Sequence, residues 1–411
     1  MRNTWTVHST ENVTFGRGAI QKLPGILHKI NAKNILMVTD QGIKGAGILQ
    51  KVKNILDPFF NVSIYDQAVP EPPVESAIEC VEITNKSKID AIVGLGGGSS
   101  IDLAKIVALL LAHGGHPRDY FGENNVPGPI APLVAVPTTA GTGSEVTSVT
   151  VLTDQANQVK TGVSDNYLRP HTALLDPELT KDLPPYITAC SGIDALCHAV
   201  EAFTAKDSHY VEAEGELLFQ GSNPYSDALA LQAINLISKS LPLAVNQGAN
   251  MQARADMLLG SLLAGQAFSN AGTAAAHALA YPIGGLVHSP HGELTGLLLP
   301  YVLYHNYPVI SSKLAQAERN IEPRMGAVSE DEAAASFIKR IERLLVDIQL
   351  PTQLKDIGMK EEDISSVAGK ALNIDRLIRG NPRVPTQKSF ETLLIKAYGD
   401  PRNAKDSNYY R

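Results

Sequence analysis

Residues 190–200, CSGIDALCHAV, place Asp194 and His198 four positions apart in a stretch otherwise suited to burial. Residues four apart share a helix face, so the carboxylate and the imidazole can meet at one point, and Glu201 continues nearly the same face. A charged carboxylate in apolar surroundings is costly unless paired. A structural Asp–His pair is therefore the first explanation, and a second segment shifts the balance. Residues 273–296, TAAAHALAYPIGGLVHSPHGELTG, carry His277 within an alanine-rich helix, then His288 and His291 in a Gly/Pro loop. One carboxylate with two or three imidazoles suits a divalent transition metal that keeps an open coordination position, Fe(II) and Zn(II) equally. Spacing does not choose between His288 and His291. Such an ion would act as a Lewis acid on an alcohol oxygen or a carbonyl. Cys197, beside His198, raises the alternative of a catalytic thiol, against which stands the usual role of such cysteines as small buried packing residues.

Two glycine-rich segments offer a second kind of chemistry. GLGGGSSIDLAK (94–105) follows a strand and opens a helix, where glycines admit a ligand close to the backbone and free N–H groups face an anion. It is neither G-x-G-x-x-G, because position 99 is Ser, nor a P-loop. A tight strand-to-helix turn would need fewer glycines, so phosphate binding is favoured. PTTAGTGSE (137–145) also follows a strand and sets Thr138, Thr139, Thr142 and Ser144 among glycines. Loops at the carboxyl ends of neighbouring strands form the crevice in which open α/β sheets bind ligands. Asp40 ends the strand NILMVTD, where an acid can hold the ribose hydroxyls of NAD and repel the extra phosphate of NADP, or can simply cap a helix.

The elements that must carry these residues change character along the chain. Up to about residue 180, strand-like runs at 34–40, 61–66, 91–97 and 132–139 alternate with helical spacing near 43–56, 74–88 and 100–113. That alternation implies βαβ units and a mainly parallel sheet. Residues 145–154 and 172–179 are expected as further strands pairing as a hairpin. Beyond Pro184–Pro185, Ala- and Leu-rich helical patterns dominate at 189–205, 226–241, 251–269, 273–281 and 328–348. The expected division is therefore an α/β domain over 1–183 and an all-helical domain over 184–411, with 206–224 as an excursion between helices.

A chain of 411 residues with 44% hydrophobic and 19% charged residues can bury a large core, and its net charge of −7 argues against a nucleic-acid or anionic-membrane partner. The start MRNTWTVHST lacks a signal-peptide core, no apolar run is read as long enough to span a bilayer, and three irregularly spaced cysteines make no disulfide framework. A cytoplasmic protein with a small-molecule substrate is expected.

The segments FGRGAI, VTDQGI, GLGGGSSIDLAK, PTTAGTGSEVT, LLDPELTKDLPP, GIDALCHAVEA, HALAYPIGG, PHG and a late NPR occur in this order over nearly the whole chain. Together they resemble the iron-dependent (group III) alcohol dehydrogenases of the dehydroquinate synthase-like superfamily. The resemblance implies an α/β N-terminal nucleotide-binding domain and an all-α C-terminal metal-binding domain. It implies metal ligands at Asp194, His198, His277 and His291, leaving His288 aside. It places the cofactor phosphates on Gly97, Gly98 and Ser99 with Asp102 on the following helix, and Thr138, Thr139, Thr142 and Thr147 along the nicotinamide half. Lys160 matches the family's lysine beyond the hairpin, and Asp40 favours NAD over NADP. Many members carry a histidine where this chain has Tyr281, which suggests a relay through the Tyr281 hydroxyl, His288 or water, and Tyr here also resembles the hydroxyacid–oxoacid transhydrogenase branch. A homodimer is a further expectation of the family.

The function implied is a metal-dependent, NAD-linked alcohol dehydrogenase working on a small alcohol or aldehyde, with iron preferred over zinc. The alternatives are the transhydrogenase and a dehydroquinate synthase-like enzyme that recycles its NAD internally. A metal-dependent hydrolase whose glycine loop binds a substrate phosphate is a rival from another class. A non-catalytic binding module is the least favoured, because buried Asp and His are costly to keep without a metal.

Overall fold

The computed structural model describes residues 2–84, 88–154, 159–212 and 216–399, with only the backbone at Val159 and Lys160. The chain forms two compact units. The first contains Val7–Leu183 and Gly248–Ser269. In chain order it runs β1 (Asn12–Phe15), α1 (Leu23–Lys29), β2 (Asn34–Asp40), α2 (Gln41–Gly45), α3 (Ile48–Leu56), β3 (Asn61–Ala68), α4 (Val74–Thr84), β4 (Ala91–Gly96), α5 (Gly98–His113), β5 (Gly122–Glu123), β6 (Leu133–Pro137), β7 (Val149–Asp154), β8 (Val159–Ser164) and β9 (Thr172–Leu175).

Six strands make a parallel sheet in the order β1-β9-β6-β4-β2-β3. Its inner strands β2, β4, β6 and β9 are buried runs because helices cover both faces, while the edge strands β1 and β3 stay partly exposed. The period of two decides which side chain goes where. Leu36, Val38, Ile92 and Leu133 pack with Ala77, Leu103 and Val107 of α4 and α5, while Ile35, Met37, Val93 and Val134 pack with Leu23, Leu27 and Val52 of α1 and α3.

The expected hairpin between 145–154 and 172–179 does not form. β7 pairs antiparallel with β8, and β9 enters the main sheet parallel to β1 and β6. The four residues of β9 are all buried, as an interior strand requires, whereas β7 alternates partly and fully buried residues and stays in a small sheet with β8 and β5.

The second unit contains the residues up to Thr6, Pro184–Gln247 and Asn270–Arg411. Its helices are α6 (Pro185–Thr204), α7 (Pro224–Asn246), α9 (Ala275–Val287), α10 (His291–Ile321), α11 (Glu330–Asp347), α12 (Ile364–Leu372), α13 (Asp375–Arg379) and α14 (Gln387–Tyr398); α8 (Met251–Ala271) joins the α/β unit through Ser269. The chain thus departs from a single division at 183/184. Gly143 and Gly265 explain why α8 seats there: a Cβ on Gly143 would lie 2.7 Å from the Gly265 Cα. Ser269 also receives hydrogen bonds from the Ser148 N–H and the Arg169 guanidinium.

The boundary at Pro184–Pro185 coincides with the start of α6, where proline suits the first turn. α7, at 23 residues, is long and apolar enough to cross a membrane, contrary to the expectation from the sequence. Its apolar face, Ala230, Ala233, Ile234, Ile237 and Leu241, is instead buried in this unit, and α7 packs on α6. The excursion over 206–224 is tied at its ends, with the Ser222 N–H donating to the Lys206 carbonyl and the Gln220 N–H to that of Asn270, while residues 213–215 lie outside the description.

Candidate functional site

α6 is buried from Thr188 almost without interruption to Thr204, and Asp194, His198 and Glu201 lie on it a turn apart. α9 supplies His277 near its start and Tyr281 one turn later; α10 begins at His291 itself, behind Pro290. Two glycines bring α10 onto α6. A Cβ on Gly292 would lie 2.1 Å from the Cys190 carbonyl oxygen and 2.9 Å from Asp194 Cβ, and one on Gly296 would lie 2.6 Å from Ile193. Only a bare backbone permits this approach.

The carboxylate of Asp194 is the centre of the cluster. Its Oδ1 lies 3.8 Å from His277 Nε2 and 4.0 Å from His291 Nε2, and its Oδ2 lies 3.9 Å from His198 Nδ1. These separations are too long for hydrogen bonds. They suit donors that converge on one ion, each about 2 Å from it. The donor atoms of Asp194, His277 and His291 all lie within 4.8 Å of one another, and the His198 ring stacks on His277 with centroids 4.6 Å apart. His277 Nε2 is buried with no hydrogen-bond partner among the described residues. A lone pair aimed at a carboxylate repels it, and a cation between them removes the conflict. The residues therefore fit a divalent metal.

Neighbouring groups fix the donors. Thr295 Oγ1 donates to Asp194 Oδ1 at 2.8 Å. Burial opposes charge on Asp194, but the three imidazoles and the Thr295 hydroxyl outweigh it and hold the carboxyl below its ordinary value. Burial pushes His198 down to about 4, so near pH 7 it is a neutral ring with a lone pair to offer. Cys197 is fully buried and burial raises its thiol well above 9, which leaves it unreactive and corrects the catalytic-thiol alternative. The His291 side chain is 36% exposed and is the accessible member of the cluster. Tyr281 lies beside it, with ring centroids 5.7 Å apart. His288 is exposed, closes α9 in the left-handed region at φ 52, and stands outside the metal-competent groups found among the described residues.

In the α/β unit, β4 and β6 are adjacent and deliver both glycine loops to one end of the sheet. A Cβ on Gly98 would lie 2.6 Å from Thr142 Cγ2, and one on Gly97 3.4 Å from Thr139 Cγ2. The loops therefore touch across glycine. Gly97 caps α5, and Ser99 follows in its first turn. The Thr138 hydroxyl is buried with no hydrogen-bond partner among the described residues. Asp40 does cap α2, accepting the Ile43 N–H at 3.0 Å, and it also accepts from the Ser100 hydroxyl at 2.9 Å.

Asp102 is partly buried on α5, and Thr147 is buried. Asp102 Oδ2 accepts the Val151 N–H, and burial raises its carboxyl. Thr147 holds the fully buried Lys105, whose Nζ donates to the Thr147 carbonyl and hydroxyl and to the Val149 carbonyl. Burial lowers Lys105 to about 8 against the opposing charge of Asp102. The Lys160 side chain lies outside the described residues. Thr295, Ser100 and Lys105 are the participants that spacing did not single out, and spacing put Glu201 near the face of Asp194 and His198 without its partners, since these come from distant parts of the chain.

Residues 10–177 match the family model for iron-containing alcohol dehydrogenases, and residues 188–398 match the C-terminal model of the same family. The chain belongs to the iron-containing alcohol dehydrogenase family. It is 38% identical over 371 residues to long-chain-alcohol dehydrogenase 1 of Geobacillus thermodenitrificans, covering 89% of this chain and 90% of that protein. It is 36% identical over 383 residues to the NAD-dependent methanol dehydrogenase of Bacillus methanolicus, covering 93% and 97%. The crystal structure of a 1,3-propanediol oxidoreductase superposes with a TM-score of 0.90 at 34% identity, covering 96% of this chain and all of that one. As a member of the iron-containing alcohol dehydrogenase family, the chain has the α/β and helical units of the dehydroquinate synthase-like fold.

Proposed function

We propose that this protein is an NAD-linked, metal-dependent alcohol dehydrogenase that converts an alcohol and NAD to an aldehyde or ketone, NADH and a proton, and runs the reverse reduction. The observation that carries it is the buried carboxylate–imidazole cluster around Asp194, with His277 Nε2 3.8 Å from that carboxylate and without a hydrogen-bond partner among the described residues. Membership of a dehydrogenase family supports the same activity. Asp194, His198, His277 and His291 would hold the ion, iron in preference to zinc. When bound, a divalent metal supplies Lewis acidity that lowers the pKa of an alcohol hydroxyl.

The protein's own groups do the rest. Neutral His198 and the Thr295-oriented Asp194 present fixed donors, so little reorganisation accompanies binding. Half-exposed His291 and Tyr281 border the accessible side of the cluster, where Tyr281 can orient a hydroxyl or pass a proton. Gly97, Gly98 and Ser99 would hold the cofactor phosphates, Thr138, Thr139 and Thr142 the nicotinamide half, and Asp40 the ribose. Asp102 would stand with the phosphate-binding residues on α5, and Thr147, which also holds Lys105, would join the nicotinamide half. A homodimer in the cytoplasm goes with this function, on the strength of the family resemblance and the acidic charge balance.

Asp194→Ala tests the assignment: turnover and metal content are expected to fall at least a hundredfold, with NADH binding retained. Unchanged turnover would refute it. Net NADH accumulation separates the dehydrogenase from an enzyme that recycles its NAD internally.

A further inference from the structure

Resting on the metal-centre assignment above, we propose that Glu201 is a positioning residue that fixes the tautomer and aim of His277 and so sets the metal affinity of the cluster. Glu201 lies on α6, seven residues after Asp194, and is 2% exposed. Its Oε2 lies 2.5 Å from His277 Nδ1 and also accepts the Ala274 N–H at 2.9 Å, while its Oε1 accepts the Ala276 N–H at 2.7 Å. Three donors converge on one carboxylate. α9 has no side-chain cap of its own, so Glu201 also closes the start of the helix that carries His277.

The consequence for His277 follows from proton counting. The imidazole can bond a carboxylate at Nδ1 only by donating, so the proton of the neutral ring sits on Nδ1 and Nε2 keeps its lone pair. That lone pair is the atom facing Asp194. Cys197 Sγ is 4.0 Å from the same Nδ1, too far to compete with Glu201 for its proton.

An amide cannot serve the same three donors. In Glu201→Gln, an amide oxygen facing His277 would leave the NH2 facing the Ala276 N–H, donor against donor. With the NH2 facing His277 instead, only the tautomer with the proton on Nε2 would fit, and the donor atom would be closed. The substitution preserves shape and removes the function, which separates positioning from packing.

The test is Zn(II) affinity of the chelated full-length protein, measured by competition with a chromophoric chelator, with Asp194→Ala as reference. Glu201→Gln is expected to weaken Zn(II) binding ten- to a hundredfold, to change the Co(II) absorption bands, and to leave NADH affinity within twofold. Affinity equal to wild type with an unchanged Co(II) spectrum would overturn the proposal while leaving the metal centre intact. Wild type that binds Zn(II) no better than Asp194→Ala would overturn the metal centre and the proposal with it. A wild-type measurement covers a Glu201→Gln that fails to fold. In the metal-free 15N-histidine protein, the His277 ring, assigned by difference from His277→Gln, is expected to carry its proton on Nδ1. A proton on Nε2 would contradict the role given to Glu201.

Discussion

Glu145, 2% exposed at the end of the threonine loop, has its carboxyl raised by burial to about 7, with Lys105 pulling the other way. A carboxyl raised in the folded state stabilises below its unfolded value near 4.5, and that contribution is lost as pH rises through 7. The loss amounts to about 3 kcal/mol. Wild-type urea midpoints are therefore expected to fall between pH 5 and pH 8, and Glu145→Gln should flatten that fall and exceed wild type at pH 8. Equal slopes in the two proteins would contradict it. Single residues were legible in the sequence where their type clashed with their surroundings. Asp194 and His198 stand in an apolar helix, and His277 in AAAHALA, so each announces a cost that something must offset. Glu201 sits on the same helix but finds its partners on α9, 73 to 76 residues away, and Thr295 reaches Asp194 across 101 residues. No local pattern encodes those meetings.

Between elements, the cluster depends on how closely α10 approaches α6. Gly292→Ala would set a methyl 2.1 Å from the Cys190 carbonyl, and backbone cannot yield as a side-chain tip can. The expected cost is about 1–3 kcal/mol, seen as a lower melting temperature together with reduced metal content, because His291 moves with α10. Gly285→Ala is the control, since a Cβ there meets nothing within 4 Å. Equal melting temperatures for the two variants would show that the close approach is dispensable. The parallel strands β2, β4 and β6 were legible as buried β-branched runs, and α6 as a helical pattern over 189–205, which the structure starts earlier, at Pro185. β8, VKTGVS, was not, because its apolar residues are too few to announce a strand, and β9 was misassigned to a hairpin. The 31 residues of α10 carry Pro300 and Pro308, which disguise one long helix as several segments.

At the level of the whole molecule, chain order and spatial grouping diverge. The sequence shows a change from α/β to helical composition near residue 184, yet α8 rejoins the α/β unit because Gly143, Gly265 and Ser269 pack it there. Asp194 and the three imidazoles proposed to hold the metal belong to one unit and both glycine loops to the other, so the proposed metal and cofactor should be separable by experiment. Chelation is expected to abolish turnover while leaving NADH binding, read by fluorescence, unchanged. Loss of both together would contradict that independence. The most direct measurement is NADH formation by the chelated protein, reconstituted anaerobically with Fe(II) or Zn(II) and offered NAD with short alcohols, diols and hydroxy acids. NADH production restored by a metal and absent without one is the expected result. NADH production undiminished in the metal-free protein, or no NAD-dependent oxidation with either metal across the panel, would contradict a metal-dependent alcohol dehydrogenase.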